Sequence, residues 1–168
     1  MSNAWKACTR KKAIEPAGVE GIALGGLTAS LQTREGMEVM DSTNVVRDKD
    51  EFARLLGIEV VESGAGGAKV RMAVSAGHRN GLGMVHGGAM FTLADYAFAV
   101  ACNSHGYASV AVNANISYLK APKGGVLCAE AQEIAVDGKM GSCQVRVLDE
   151  DGSVVAMFQG LSYRKSQA

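Results

Sequence analysis

Residues 89–103 read AMFTLADYAFAVACN, and only Thr92, Asp95 and Asn103 among these fifteen residues are not apolar. A helix over this stretch has no polar face to turn toward water, so the rest of the chain must enclose it. At a rise of about 1.5 Å per residue the helix would be roughly 22 Å long, which is too short to cross a bilayer core comfortably. The sequence therefore predicts a long helix inside a globular domain.

The segments on both sides of the helix alternate between apolar and polar residues, as β-strands do. Asp-Gly pairs at 137–138 and 151–152 are favoured hairpin turns and predict an antiparallel meander. Because only this sheet can enclose the helix, we predict an α+β domain. A curved antiparallel sheet of five or six strands wraps one long central helix, which is the outline of a hot-dog fold. The predicted strands cover residues 58–62, 68–74, 110–118, 126–135, 142–149 and 154–163.

A short helix is predicted to precede the sheet, over residues 48–56. Phe52, Leu55 and Leu56 fall at helical spacing in this segment, and Gly57 ends it as a C-terminal cap would. The predicted globular domain as a whole spans residues 46–166.

Residues 1–45 show no sustained periodicity, and we expect them to form a poorly ordered tail. Ser2-Asn3-Ala4 resembles the remnant of a cleaved tag, and Met37 and Met40 are alternative starts of the natural chain. We therefore assign no function to this tail.

Composition narrows the class of protein and its partners. Seventeen Lys and Arg residues balance seventeen Asp and Glu residues, so nothing favours binding to nucleic acid or to an anionic membrane surface. The sequence contains no membrane-spanning stretch and no signal pattern, and we expect a soluble cytoplasmic protein. Four widely spaced cysteines are predicted to be reduced thiols, namely Cys8, Cys102, Cys128 and Cys143.

The long helix has one face of small side chains and one bulky face. Asp95 is on the small face, and burial of a carboxylate without partners is costly. It is either a structural residue bonded to a backbone group or a lysine, or a functional residue. At about 100° per residue, the small face consists of Gly88, Thr92, Asp95, Ala99 and Cys102, and the bulky face of Met90, Leu93, Ala97 and Val100.

Gly87 and Gly88 leave backbone N–H groups free at the start of the helix, where a developing negative charge on a carbonyl oxygen is stabilised. Gly88 is the predicted donor. Asp95 lies seven residues further on, about 10 Å along the axis, so one chain alone cannot bring both groups to one reacting atom. The spacing predicts a two-fold dimer in which Asp95 of one copy faces Gly88 of the other.

These residues resemble the PaaI-type hot-dog thioesterases. The likeness rests on Asn80, the sequence His86-Gly87-Gly88 and Asp95, and it extends from Phe52 to Arg164. The sequence AFAVACNS at 97–104 is similar in particular to phenylacetyl-coenzyme A thioesterases. The resemblance implies hydrolysis of an acyl-coenzyme A, in particular an aryl-acyl one, to a free acid and coenzyme A.

The resemblance also implies roles for single residues. Asp95 is the nucleophile or general base, Gly88 donates its N–H to the thioester oxygen, and Asn80 positions substrate or water. His86 supports the turn, and from the sequence alone a histidine before a glycine pair often fixes a turn through its ring N–H. Gly87 and Thr92 are expected to contact substrate. The family's site is shared across a dimer, and a dimer of dimers is compatible with it.

One departure from the family lies on the strand after the helix, where some relatives have a Ser or Thr to assist the water. This chain has Ala111 there, and Asn113 and Asn115 are the nearby polar residues, either functional or simply bonded to backbone or water. The apolar face of this strand is predicted to consist of Val110, Val112, Ala114, Ile116 and Tyr118.

Cations for the phosphates of coenzyme A are expected from Lys120, Lys123 and Lys139, although a lysine in a turn is often merely solvated. His78 and His105 have no suitably spaced carboxylates, so no metal and no cofactor are expected.

Two rival functions stay open. A hot-dog dehydratase or hydratase would need a histidine paired with a carboxylate at the substrate, and a non-catalytic module would bind acyl-coenzyme A without turnover.

Overall fold

A six-stranded antiparallel sheet curls around one long helix, as predicted. The computed structural model describes residues 46, 48–123 and 125–165. The predicted tail over residues 1–45 lies outside the described residues. Among the described helices, none is long and apolar enough to cross a membrane.

The strands lie in the order β1-β2-β4-β5-β6-β3, and every neighbouring pair is antiparallel. The C-terminal meander forms as its Asp-Gly turns predict, and β3 joins the sheet beyond β6, which makes β3 an edge strand. The elements are α1 (Glu51–Leu55), β1 (Ile58–Gly64), β2 (Gly67–Ala73), a 3-10 turn (Ala76–His78), α2 (Gly87–Asn103), β3 (Ser109–Tyr118), β4 (Val126–Asp137), β5 (Met140–Leu148) and β6 (Val154–Arg164).

The helix predicted over residues 48–56 is interrupted at Asp50: residues 48 and 49 are helical, and α1 begins after Asp50, whose side chain caps it by accepting the Ala53 N–H at 2.9 Å. Gly57 follows the helix with a positive φ of 63°, in agreement with a stop at this residue. The side chains of Phe52 and Leu55 are 59% and 78% exposed. Of the three predicted apolar positions, only Leu56, just after α1, packs against the core.

Helix α2 is enclosed by the sheet on all sides but one. The ring of Phe98 packs beside that of Phe158 on β6, with ring centroids 5.7 Å apart. Gly160, also on β6, lets the Phe98 ring lie close to the strand, because a Cβ at this position would be 2.8 Å from the ring. On the bulky face Met90, Leu93, Ala97 and Val100 are buried, whereas on the small face Gly88 is exposed and Thr92, Asp95 and Ala99 are half-buried. Cys102, predicted on the small face, is buried in the core, so the uncovered part of that face ends before the last turn of α2.

Strand β3 departs from the predicted alternation. Ala111 pairs with Ser162 and Asn113 pairs with Leu161, so Val112 is an extra residue in a β-bulge. A bulge exchanges the two faces of a strand, and the predicted apolar face is therefore wrong in part. Ala114 and Ile116 pack against the core, while Val110, Val112 and Tyr118 are exposed.

The cysteines differ from the expectation of four reduced thiols. Cys102 and Cys143 are free and buried. Cys128 is disulfide-bonded. The expectation is therefore wrong for Cys128.

Candidate active site

The N-terminus of α2 begins at the glycine pair, with His86 as the capping residue. The His86 Nδ1 atom accepts the Gly88 N–H at 2.8 Å, so the ring accepts a hydrogen bond at the turn, whereas the sequence led us to expect a donor. The backbone oxygen of His86 accepts the N–H groups of Ala89 and Met90 at 3.0 and 3.3 Å. In the described part of the chain, the Gly87 N–H donates no hydrogen bond and points out of the helix end.

Tyr118, at the end of β3, meets the same glycine pair from the sheet. Its hydroxyl donates to the Gly87 carbonyl oxygen at 2.9 Å. The sequence predicted Tyr118 only as part of an apolar face and missed this contact. No local signal could have revealed it, because the contact depends on where the end of β3 meets the start of α2.

Among the described residues, two clefts open beside the glycine pair. The first has a volume of about 320 Å³, and Gly87, Tyr118, Leu119 and Lys120 are among its lining residues. The second has a volume of about 290 Å³ and lies between α1 and the start of α2. Its lining includes Phe52, Leu56, His78, His86, Gly88 and Thr92. Asp95 lines neither cleft.

Asp95 lies on the uncovered face of α2 and is half-buried. Among the described residues its carboxylate has no hydrogen-bond or ion-pair partner, so the alternative of a structural Asp bonded to backbone or lysine is not what the structure shows. Burial raises the pKa of Asp95 above its ordinary value, and the nearby Asp50 carboxylate raises it further. The group is thus a stronger base than an ordinary aspartate.

Asn80 organises the loop that leads to α2. Its Oδ1 atom accepts the N–H groups of Leu82 and Met84 at 2.9 and 3.1 Å. These bonds fix the side-chain orientation and leave the Nδ2 group without a partner among the described residues. One end of Asn80 is therefore structural, and the other is available to a ligand. Thr92 is also engaged locally, since its hydroxyl donates to the Gly88 carbonyl oxygen at 2.9 Å.

The three predicted lysines are not brought together. Lys120 lines the first cleft, and both Lys120 and Lys123 lie near Asp151, whose pKa they help to lower. Lys139 instead lies over the ring of Tyr163, 5.6 Å from its centroid. Tyr163 pairs with Val110, eight residues and about 26 Å along β3 from Tyr118.

The other polar candidates on β3 do not form a water-binding group in this chain. Ala111 precedes the bulge, and Asn113 beyond it is exposed. Asn115 donates from Nδ2 to the Gln159 carbonyl oxygen at 3.3 Å, which is the backbone role left open from the sequence.

The remaining histidines have structural partners. His78 Nδ1 accepts the Ser75 N–H at 3.0 Å. His105 contacts the buried carboxylate of Glu133, which also pairs with Arg164. The described residues contain no group of three or more His, Cys, Asp or Glu side chains placed to hold a metal ion.

Comparison with known proteins shows which family this chain belongs to. Residues 82–156 match the model of the thioesterase superfamily. The acyl-coenzyme A thioesterase PaaI of Escherichia coli K12 is 35% identical over 124 residues, which are 73% of this chain and 89% of that protein. This chain belongs to the thioesterase superfamily.

Solved structures agree with this assignment. The PaaI protein from the phenylacetic acid degradation operon of E. coli superposes with a TM-score of 0.70 at 34% identity, over 77% of this chain and 95% of that one. A variant of the phenylacetic acid degradation protein PaaI from Thermus thermophilus superposes with a TM-score of 0.66 at 33% identity, over 69% of this chain and all of that one. The predicted hot-dog fold is confirmed, and the chain is a PaaI-type thioester hydrolase.

Proposed function

We propose that this thioesterase hydrolyses an acyl-coenzyme A to a carboxylic acid and coenzyme A in a site shared by two copies of the chain. The observation that carries the shared site is that Asp95 lines neither cleft at the glycine pair. An attacking group and an oxyanion donor must both lie within about 3 Å of the reacting atoms. Asp95 is seven residues beyond Gly88 on one helix, about 10 Å away. A second copy must therefore supply it.

Two uncovered surfaces support a two-fold dimer. The small face of α2 admits close approach of an antiparallel helix from another copy. Beside it, the edge strand β3 exposes Val110 and Val112, which are 40% and 54% accessible. An exposed apolar edge strand invites association unless something covers it. A dimer of dimers and a cytoplasmic location remain predictions from the sequence.

The chemistry assigned to Asp95 follows from its isolation and its raised pKa. Its carboxylate either attacks the thioester carbon directly or takes a proton from the attacking water. In the direct route the Asp95 oxygen bonds to the thioester carbon as the carbon–sulfur bond breaks, and water then hydrolyses the resulting mixed anhydride, which releases the acid, restores the carboxylate and supplies the proton that the leaving thiolate takes up. In the water route the hydroxide oxygen bonds to that carbon, and the proton held by Asp95 passes to the departing coenzyme A sulfur. In both routes the carbonyl oxygen gains negative charge in the transition state. The Nδ2 group of Asn80 is the candidate to hold the substrate or the water.

For the oxyanion donor we revise the choice of Gly88, because His86 already accepts its N–H. The neighbouring Gly87 N–H has no partner among the described residues and lies beside the first cleft. We therefore assign the bond to the thioester oxygen to Gly87. Gly88 can add a second bond only when the His86 ring turns away.

The two clefts suggest how the substrate lies. Lys120 in the first cleft, with Lys123 near it, provides cations for the phosphates of coenzyme A. Phe52 and Leu56 in the second cleft provide an apolar and aromatic wall for the acyl group. Two of the similar structures are named for phenylacetic acid degradation, which agrees with an aryl-acyl substrate.

The reaction is tested by release of thiol from phenylacetyl-, hydroxyphenylacetyl-, benzoyl- and short to medium aliphatic coenzyme A thioesters. We expect the aryl-acyl thioesters to give the highest kcat/KM and Asp95→Asn to lose most of the activity. Undiminished hydrolysis by the Asp95→Asn variant would contradict the proposed mechanism.

The acyl subsite is tested by Phe52→Ala, which removes the aromatic wall of the second cleft. We expect kcat/KM for the aryl-acyl thioester to fall several-fold, since a well-packed aromatic contact contributes on the order of 1 kcal/mol. Leu55→Ala is the matched control, because Leu55 is exposed on α1 but lines neither cleft. Equal loss in the two variants would contradict the assignment.

No observation favours a dehydratase. Such an enzyme needs a histidine paired with a carboxylate at the substrate carbon. Among the described residues that pairing is His105 with Glu133, which lies beyond the C-terminal end of α2 and lines neither cleft.

A further inference from the structure

The peptide bond between Gly87 and Gly88 is held at both of its polar ends. The Tyr118 hydroxyl donates to its carbonyl oxygen at 2.9 Å, and His86 Nδ1 accepts from its N–H at 2.8 Å. The two side chains come from different elements, the end of β3 and the cap of α2. The Tyr118 ring also lies against Gly87, where a Cβ would be 3.2 Å from the ring carbon Cζ.

A glycine pair at the start of a helix is otherwise the least constrained place in the fold. Glycine has more backbone freedom than any other residue, and the first turn of a helix frays. An oxyanion donor, in contrast, must stay within about 0.5 Å of its productive position. Something outside the helix backbone must therefore restrict the pair.

We propose that Tyr118 and His86 form a clamp on the Gly87–Gly88 peptide that aims the free Gly87 N–H at the thioester oxygen. This inference rests on the proposed function. The peptide before Gly87 is fixed because the His86 carbonyl oxygen accepts from Ala89 and Met90. The clamp fixes the peptide after it. With both flanking peptides held, φ and ψ of Gly87 are held as well.

The clamp suits the conditions in which a hydrolase works. Desolvation raises the pKa of Tyr118, so its hydroxyl keeps its proton and stays a donor at neutral and mildly basic pH. Tyr118 also lines the first cleft, so its ring is placed to touch substrate directly. A test must therefore separate the hydroxyl from the ring.

Tyr118→Phe removes the hydroxyl and keeps the ring. We expect kcat to fall about 5- to 10-fold, as for the loss of one hydrogen bond of roughly 1 kcal/mol, with KM for the acyl-coenzyme A within about two-fold of the parent. Tyr163→Phe, at the far end of the sheet, is the control and should leave both constants unchanged. A rise in KM with unchanged kcat would mean that Tyr118 only binds substrate.

A second pair of variants tests whether Tyr118 acts through Gly87. Gly87→Pro removes the free N–H at the first helical position, where proline is tolerated, and His86 has the extended φ of −67° and ψ of 135° that a residue before proline requires. Gly87→Ala adds a Cβ but keeps the N–H. We expect kcat of the proline variant to lie about 100- to 1000-fold below that of the alanine variant.

The combined variant then decides the question. If Tyr118 works by aiming the Gly87 N–H, Tyr118→Phe causes no further loss of kcat in the Gly87→Pro background. An unreduced 5- to 10-fold loss there would overturn the clamp. Equal kcat of Gly87→Pro and Gly87→Ala would instead overturn the choice of Gly87 as donor, which belongs to the proposed function. Thermal unfolding and light scattering on each variant show whether the folded oligomer is intact.

Discussion

At the scale of single residues, Asp95 is a carboxylate in surroundings that disfavour its charged form. Asp95 is half-buried, has no partner among the described residues, and lies near a second carboxylate, Asp50. Each of these features disfavours the charged form and raises its pKa. A structural aspartate is normally paired, so the arrangement costs stability and is consistent with a role in chemistry.

Asp95→Asn is therefore expected to stabilise the fold at neutral pH. Because the pKa of Asp95 is raised in the folded state, the folded protein holds this proton more tightly, and stability falls as pH rises from the ordinary aspartate range through the raised pKa. Asp95→Asn cannot ionise at this position, so its folding stability does not fall in this way as pH rises. Its Tm should exceed that of the parent at pH 7, and the difference should vanish near pH 3, where both states of the parent are protonated.

Asp151→Asn is a control of opposite sign for this experiment. Hydrogen bonds from Ser153 lower the pKa of Asp151, so its charged form is favoured in the folded state. Replacement by Asn should not raise the Tm at pH 7. A gain in Tm from both variants would point to a general effect of net charge. It would contradict the view that the half-buried charge of Asp95 in particular destabilises the fold.

Lys120 is expected to act on the nucleotide end of the substrate. Lys120→Ala should raise KM for acyl-coenzyme A about 2- to 5-fold, as expected for a solvent-exposed ion pair, and the effect should shrink at high salt. Acyl-pantetheine thioesters lack the nucleotide phosphates and should not show this effect. Lys165→Ala is the control, and an equal rise in KM for both thioester classes would contradict a phosphate contact.

At the scale of elements, the packing of α2 on β6 positions the catalytic helix. Phe98 reaches the sheet only because Gly160 opposite it lacks a side chain. Gly160→Ala places a Cβ 2.8 Å from the Phe98 ring, and such overpacking costs about 1–3 kcal/mol. Urea unfolding should show this loss, while Gly81→Ala, with open space around it, should change stability by less than about 0.5 kcal/mol.

Some features of the helices and strands could be predicted from the sequence, and others could not. The enclosed helix and the meander were predictable because apolar periodicity and Asp-Gly turns are local signals. The bulge at Val112 was not, because an extra residue in a strand leaves no mark in a pattern of alternation. The exposed Phe52 and Leu55 on α1 follow the same rule, since helical spacing alone does not say what packs against a face.

The candidate site was predictable to a similar extent. The helical count separated Asp95 from the glycine pair and indicated a shared site from one chain's sequence. It did not reveal which glycine N–H is free, because that depends on the rotamer of His86. It also missed Tyr118, whose contact with Gly87 joins residues 31 positions apart.

At the scale of the whole molecule, two copies of the chain are needed to complete one site, as proposed above. In the described part of the chain, the edge strand β3 and the small face of α2 from Gly88 to Ala99 are left uncovered. Val112→Lys should break the dimer and remove activity together, because a charge on an edge strand opposes pairing. Ile134→Lys is the control, since Ile134 is 52% exposed on β4 against 54% for Val112. Light scattering and thiol release measure both effects, and a fully active monomer would contradict the shared site.

The most direct test of the shared site mixes two inactive variants in one dimer. Asp95→Asn and Gly87→Pro, co-expressed in equal amounts, should each be nearly inactive alone. Half of the randomly assembled dimers are mixed, and each mixed dimer has one site with both an intact Asp95 and an intact Gly87. The mixture should therefore recover about a quarter of the parent activity. If the mixture stays as inactive as its components while the mixed dimer forms, the site is not shared between two copies.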